Sequence, residues 1–306
     1  MYNEENKRRF ILERSGEAIL PNNYLECQFN KVESMEIELQ KDVSNFTVYE
    51  IIEYYKMLNL TSAASLSVMN SQFSIYTQWC LQKNLVTDNQ NHFLEISPKD
   101  INECVNRALF DMSIITRENV LEWVNEIINP RDQFILLALF EGIKGKDFCE
   151  IVKLKPEDVN GNIAKLCTGR QVEISDKLVS VIQDCLSENI YYSVSGKNKK
   201  TMPLIDNGYI VKSYPNIKNE VDDFQNGRRI YNSITRILKY FDTHEYMSAN
   251  SISESGKLHM IKRKSQELGM TCEEYISSGN ISEVEKQYDC VITKSIYMMK
   301  YKSYLE

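Results

Sequence analysis

The sequence predicts a mainly α-helical chain of two domains that carries one small antiparallel β-sheet. Three observations predict it. Gly and Pro are scarce, 11 and 6 in 306 residues, which favours long helices over tight turns. Apolar residues recur at helical spacing along most of the chain. A stretch near 160–174 instead carries two turn signals flanked by short β-type runs. Hydrophobic residues make up 42% and charged residues 26%, the balance of a globular chain, and the length leaves room for two cores of ordinary size.

Residues 1–45 are polar and charged, with short apolar clusters at Phe10-Ile11-Leu12 and Tyr24-Leu25, and read as an N-terminal arm with one or two short helices. A helical domain is expected over 46–128. Its first helix starts at Thr47, which has capping-box spacing to Glu50, and continues as a stripe of Ile51, Ile52, Tyr55 and Leu58. A second runs over 62–83 with Leu66, Met69, Phe73, Tyr76, Trp79 and Cys80 inward. A third opens at Ser97-Pro98, where proline's missing donor costs nothing, and a fourth follows Thr116 and ends near Ile128. Four helices with short links make a small bundle.

The second domain, 129–306, opens at Asn129-Pro130-Arg131-Asp132, with Asn129 as the expected N-cap. The run Phe134 to Phe140 is too apolar to be one-faced, so this helix is expected at the centre of the core. Turns at Asn160-Gly161-Asn162 and Thr168-Gly169-Arg170 bracket strands Ile163–Cys167 and Gln171–Ile174, and Ser175 caps the next helix. Residues 194–226 read as loop, followed by helices at about 228–241, 252–268, 281–289 and 293–304.

The formal charge of −7 argues against nucleic acid as a partner, but the distribution is uneven. Between Val194 and Lys264 there are 13 Lys and Arg against 7 Asp and Glu. A basic segment in an acidic chain is compatible with one DNA-facing surface. The eight Cys, at 27, 80, 104, 149, 167, 185, 272 and 290, form no Cys-x-x-Cys pair, so no zinc site, other metal or disulfide framework is expected. No cofactor is expected either: Gly-x-Gly-x-x-Gly, Walker, Gly-x-Ser-x-Gly and His-Glu-x-x-His patterns are all missing. The charged N-terminus and the lack of a long apolar run point to a cytoplasmic protein with no membrane partner.

The most informative stretch is Gly145 to Val159. It resembles the first active-site box of the tyrosine recombinase (phage integrase) family, in which a Gly-x-Arg turn leads into a helix and then a strand. Glu150, Ile151, Leu154, Asp158 and Val159 keep the frame, but Asp147 fills the arginine slot. The family's second box, His-x-Leu-Arg followed by x-Ser-Gly, is matched by Asn250 to Gly256, with Asn250 in the His slot and Ser253 in the Arg slot. Lys165 lies where the family carries a catalytic lysine, although an exposed hairpin lysine explains it equally well. Tyr288, Tyr297, Tyr301 and Tyr304 are candidates for the nucleophile by position only, and Gly279-Asn280 replaces the Gly-His pair expected before it.

The resemblance implies an N-terminal core-binding-like domain and a tyrosine-recombinase-like catalytic-fold domain, clamped around duplex DNA. The substitutions imply that the chemistry is gone: Asp repels a phosphate, Asn cannot shuttle a proton at neutral pH, and Ser cannot grip a phosphate bidentately. No residue is therefore expected to be catalytic, and the chain is expected not to be an enzyme. The segments 129–132, 140–147 and 255–259 also resemble the recombinase-like master repressors of lytic growth in SPβ-type phages, which implies a transcriptional repressor acting on phage operator sites. The alternative is an active or accessory recombinase with rearranged catalytic residues. A protein adaptor is the third reading, and a protein regulator or self-association is left open.

The expected DNA contacts are cations. Arg228 and Arg229 open a helix that continues through Arg236 and Lys239, the latter two sharing a face. Lys257, Lys262 and Arg263 lie on the helix of the second box. Lys197, Lys199 and Lys200 form a basic loop, and Lys144 and Lys146 flank Asp147, where they could keep a non-catalytic phosphate contact. Gln72, Thr77, Gln78 and Lys83 mark a polar face in the first domain that could meet base edges.

Overall fold

The computed structural model describes residues 1–15, 23–193, 201–214 and 223–305. Lys197, Lys199 and Lys200 lie outside the described residues. The chain divides into two compact units, Met1–Asp111 and Met112–Glu306.

The first unit is built from α1 (Glu4–Ser15), α2 (Asn23–Leu39), α3 (Val48–Met57), α4 (Ala63–Gln82), α5 (Pro98–Glu103) and α6 (Arg107–Met112). Residues 1–45, expected as an arm, are part of its core. Phe10 of α1 and Phe29 of α2 both pack edge-on against Tyr76 of α4, with centroids 5.1 and 4.9 Å away. Lys7 and Glu36 are fully buried and joined by an ion pair of 2.5 Å, and the Val43 N–H donates to the same carboxylate at 2.8 Å. Burial pushes the Glu36 carboxyl up to about 7, against the pull of Lys7. The arm looks polar in sequence because two of its charges neutralise each other inside. The Thr47–Glu50 capping box forms as the spacing predicts, and a second one joins Ser97 to Asp100.

The second unit starts some seventeen residues before the expected boundary at 128/129. The reason is α7 (Arg117–Glu126), expected as the fourth helix of the bundle. Its Val120 and Val124 join the same core as Phe134 and Leu137, and Trp123 stacks on Phe241 at 4.3 Å. An amphipathic stripe shows that a helix buries one face, but not against which core.

At the centre runs α8 (Pro130–Phe140), with every residue from Phe134 to Phe140 buried. Asn129 occupies its N-cap position, as expected, but its side chain makes no capping hydrogen bond. Its side chain instead trades two hydrogen bonds with the Tyr192 backbone, donating from Nδ2 at 2.9 Å and accepting at Oδ1 at 2.8 Å. After α9 (Cys149–Val152) come β1 (Val159–Asn160), β2 (Ile163–Lys165) and β3 (Gln171–Glu173), an antiparallel sheet in that order. Ala164 faces Val172 across it and both are buried, while their strand neighbours point outward, the alternation of a half-buried sheet. Ser175 caps α10 (Asp176–Ser187), accepting from the Leu178 N–H at 3.2 Å.

Three elements of the second unit were not expected. Strands β4 (Ile190–Tyr192) and β5 (Thr201–Pro203) pair within and beside the stretch read as loop, each too short to register as a period. After α11 (Asp223–Tyr240) and α12 (Ala249–Glu267), a further helix, α13 (Cys272–Ser277), precedes α14 (Ile281–Tyr288) and α15 (Lys294–Leu305). The capping box of α13, Thr271 with Glu274, is legible in sequence once looked for. Among the described residues, no helix is long and apolar enough to cross a membrane.

Candidate nucleic-acid interface

The turn that carries Asp147 is held in an unusual backbone conformation. Gly145 has φ 67°, and a Cβ there would lie 2.6 Å from Cys149 Sγ and 2.7 Å from Glu150 Cγ. Asp147 and Phe148 follow with φ 51° and 61°, the left-handed region that side chains disfavour by about 1–2 kcal/mol per residue.

The buried carboxylate of Glu150 offsets this cost. It accepts from the Lys144 N–H (3.0 Å), Thr168 Oγ1 (2.5 Å) and Arg170 through Nε and Nη2 (2.9 and 2.6 Å). Burial alone would raise its pKa, but Arg170, Thr168 and the Lys144 N–H outweigh it and hold the carboxyl below its ordinary range. Arg170 also donates to the carbonyls of Gly142, Lys286 and Gln287 at 3.0–3.1 Å. One ion pair thus joins the turn, the β2–β3 hairpin and α14. From the other side α11 presses on the turn: a Cβ on Gly227 would sit 2.1 Å from the Asp147 carbonyl oxygen. The Asp147 backbone is clamped, and the residue is exposed.

The second box lies on the first turns of α12, joined to the turn by a side-chain contact: Lys144 Nζ donates to Asn250 Oδ1 at 2.5 Å. Burial lowers the Lys144 pKa, with Lys257 adding to the effect and Glu254 opposing it. Ser253 is half-buried on the same helix. Next to Ser253 stands Glu254, which fills none of the motif's slots. It accepts from Lys257 Nζ at 2.9 Å and from the Tyr301 hydroxyl at 3.1 Å. Tyr301, buried on α15 where the helix is locally distorted (φ −121°, ψ 16°), is the tyrosine this cluster brings to the second box. Burial pushes its phenol well above the ordinary value. Tyr297 packs 4.7 Å from it, and Tyr288 donates to the Phe140 carbonyl at 2.7 Å, a packing role. Asn280 accepts from Tyr275 through its carbonyl at 3.1 Å, and Lys165 is exposed on β2.

Gly256 sets how closely α12 approaches α8. A Cβ there would lie 1.7 Å from the Phe140 carbonyl oxygen and 2.8 Å from the Tyr288 hydroxyl. Beside it, the Ile115 N–H donates to Ser255 Oγ at 3.0 Å.

The expected cations divide into two groups. Lys146, Arg228, Lys239 and Lys262 are exposed, and Arg229 is half-buried with one bond to Asn226 Oδ1 at 3.0 Å. Three others are engaged within the protein. Lys257 is 7% exposed, bonded to Glu254 and 5.9 Å from the Tyr288 ring. Arg236 lies 5.4 Å from the Tyr191 ring and donates to Ser233 Oγ at 2.9 Å, so it does not share an outward face with Lys239. Arg263 pairs with Glu267 at 3.0 Å and Glu173 at 3.7 Å. In the first unit Thr77 is buried, contrary to expectation, and Gln72 accepts from Arg14 at 2.7 Å. Lys83 lies 3.8 Å from Glu13, while Gln78 is exposed. Among the described residues no three His, Cys, Asp or Glu side chains converge as a metal would require.

Fold and site together define a two-domain protein of the core-binding and catalytic-domain class, its second domain carrying the glycine turn and the polar cluster of α12. The chain belongs to the MrpR family: the model described as "MrpR, C-terminal catalytic domain" matches residues 114–305, and "MrpR, N-terminal core-binding domain" matches residues 1–82. It is similar to the SPbeta prophage-derived uncharacterized protein YopR of Bacillus subtilis (strain 168), 26% identical over 283 residues that cover 88% of this chain and 84% of that one. Looser likenesses join it to solved structures. A lambda integrase dimer bound to a COC' core site is 11% identical with a TM-score of 0.44, covering 94% of this chain and 95% of that one. XerA recombinase is 12% identical with a TM-score of 0.39, covering 97% and 92%.

Proposed function

We propose that this protein is a sequence-specific DNA-binding repressor that maintains phage lysogeny on a recombinase scaffold without catalysis. The observation that carries the reading is the charge at the two box positions. A phosphoryl-transfer site needs cations where charge develops on the phosphate. Here Asp147 occupies one arginine slot, Ser253 the other, and Glu254 stands beside it with the hydroxyl of Tyr301 on its carboxylate. A buried phenol hydrogen-bonded to a carboxylate and far above its ordinary pKa is a poor nucleophile. The exposed Lys146, Arg228, Lys239 and Lys262 supply the cations that phosphate contacts need. The prophage origin of a relative spanning most of the chain supports a phage role and phage operators as the DNA partner.

The test has two arms. Footprinting on the host prophage genome is expected to give discrete protected sites whose affinity falls steeply with salt. A suicide substrate carrying the bound site is expected to trap no covalent tyrosine–DNA adduct. An adduct lost in Tyr301→Phe would establish an active or accessory recombinase instead. Absence of salt-dependent duplex binding would favour the adaptor.

A further inference from the structure

Away from the Gly145 turn, the second unit holds a cavity of about 320 Å³. It opens at the end of the sheet where Ile163 pairs with Glu173, opposite the end where Lys165 and Gln171 lead into the hairpin turn. Gly256, His259 and Arg263 line it from α12, spaced i, i+3 and i+7, a different face from that of Asn250, Glu254 and Lys257. The volume falls at the lower end of small-molecule sites, about 300–1,000 Å³.

Two arginines and a histidine line the cavity. Arg117 makes a single long bond, Nη1 to Glu141 at 3.3 Å, and Arg263 reaches Glu267 and Glu173 from a partly exposed position. His259 is half-buried with its ring 5.9 Å from Phe140 and makes no hydrogen bond among the described residues. Burial, helped by Arg117 and Arg263, lowers its pKa below the ordinary value, so the neutral ring can donate or accept. Carboxylates line it as well, interleaved with the arginines: Glu173 lies 3.7 Å from Arg263, and Glu141 pairs with Arg117. Glu173 and Asp176 are exposed, and Asp176 accepts from Asn162 Nδ2 at 2.7 Å. The third carboxylate, Glu141, is already satisfied by Arg117 and by the Ser175 N–H and hydroxyl.

A simple anion would meet Glu173 and Asp176, and a simple cation would meet two guanidinium groups. We propose that this cavity binds a small zwitterion, a free amino acid or dipeptide, with its carboxylate toward Arg117, His259 and Arg263 and its ammonium toward Glu173 and Asp176. Phe140 and Met260 supply the apolar lining for its side chain. Gln287 and Tyr288 also line the cavity, so the ligand braces α14 against α8 and α12. Gln287 already fastens this joint, donating to the carbonyls of Glu141 and Glu173 at 2.7 Å each. The site shares no residue with the proposed DNA contacts except Arg263, and the inference does not rest on the repressor reading.

The experiment is a thermal-melt and calorimetric titration of the full chain with each of the twenty amino acids and glycylglycine. Acetate and ethylamine serve as singly charged controls. At least one zwitterion should bind saturably and raise Tm by about 3 °C at tenfold excess over its Kd, while neither control does. Glu173→Gln and Arg263→Gln, both at exposed positions, should each weaken binding tenfold or more, and Lys146→Ala should leave it unchanged. If no zwitterion binds saturably, if acetate or ethylamine binds as well, or if both cavity variants bind like the parent, the proposal is overturned.

Discussion

Glu150 and Glu254 are carboxylates of the two box motifs, and their surroundings differ in every respect. Glu150 is buried and accepts four hydrogen bonds from three residues, all within the scaffold. Glu254 is partly exposed and accepts from Lys257, an expected DNA contact, and from Tyr301, a nucleophile candidate by position only. The first anchors the left-handed turn from one side, while α11 presses on it from the other. The second places negative charge beside slots that a phosphate-cutting site would fill with cations. A scaffold and its chemistry are therefore carried by separate residues, and substitutions should separate them too.

The largest effect is expected from Glu150→Ala. It leaves the Arg170 guanidinium without its main partner and the left-handed turn without its anchor, a loss on the order of 3–5 kcal/mol by denaturant unfolding. A loss under about 1 kcal/mol would show that the turn is held mainly by α11 and erase the contrast between the two carboxylates. Next, Arg228→Ala with Arg229→Ala removes cations that neither carboxylate claims. DNA affinity should fall about tenfold at low salt, and the slope of log K against log salt should flatten by roughly 1–2; an unchanged slope sinks the assignment of these arginines. Glu254→Gln removes one negative charge near the second box. DNA binding should tighten about threefold with no catalytic gain, and tighter binding accompanied by strand cleavage would mean that the carboxylate alone suppresses chemistry. Smallest is Tyr301→Phe, which removes one hydrogen bond of about 1 kcal/mol. Repression and DNA affinity should stay at parental levels, and loss of repression in a folded variant would count against a silent tyrosine.

Much of the second domain's frame was legible because its signals are local. The step from Gly145 through Glu150 and Leu154 to Val159 needs only a turn residue, a short helix and a strand start. The apolar run Phe134–Phe140 announces burial without reference to any partner. The place of the first forty-five residues in the core is not legible in sequence, because Lys7 and Glu36 lie 29 positions apart and neither carries a hint of the other. The boundary at Asp111 was missed for the same reason, since the stripe of α7 fits either core. Among the site residues, Asp147, Asn250 and Ser253 were found as slots of a motif. Lys257 and Arg263 were expected at the DNA and Glu254 was not singled out; their pairing inside the protein is not legible in sequence, because whether a charge on a helix meets solvent or a neighbour depends on what packs against that face.

Gly256 carries a consequence of a different kind. With the Phe140 carbonyl 1.7 Å from the position of any Cβ, even a methyl group would push α12 away from α8 and draw Asn250 away from Lys144. Charges around the pocket can be exchanged one at a time with the helices in place. A mutational path through position 256 has no such small steps: the joint admits hydrogen and nothing larger, which makes this glycine a geometric bottleneck for any redesign of the site, whether by drift or by engineering.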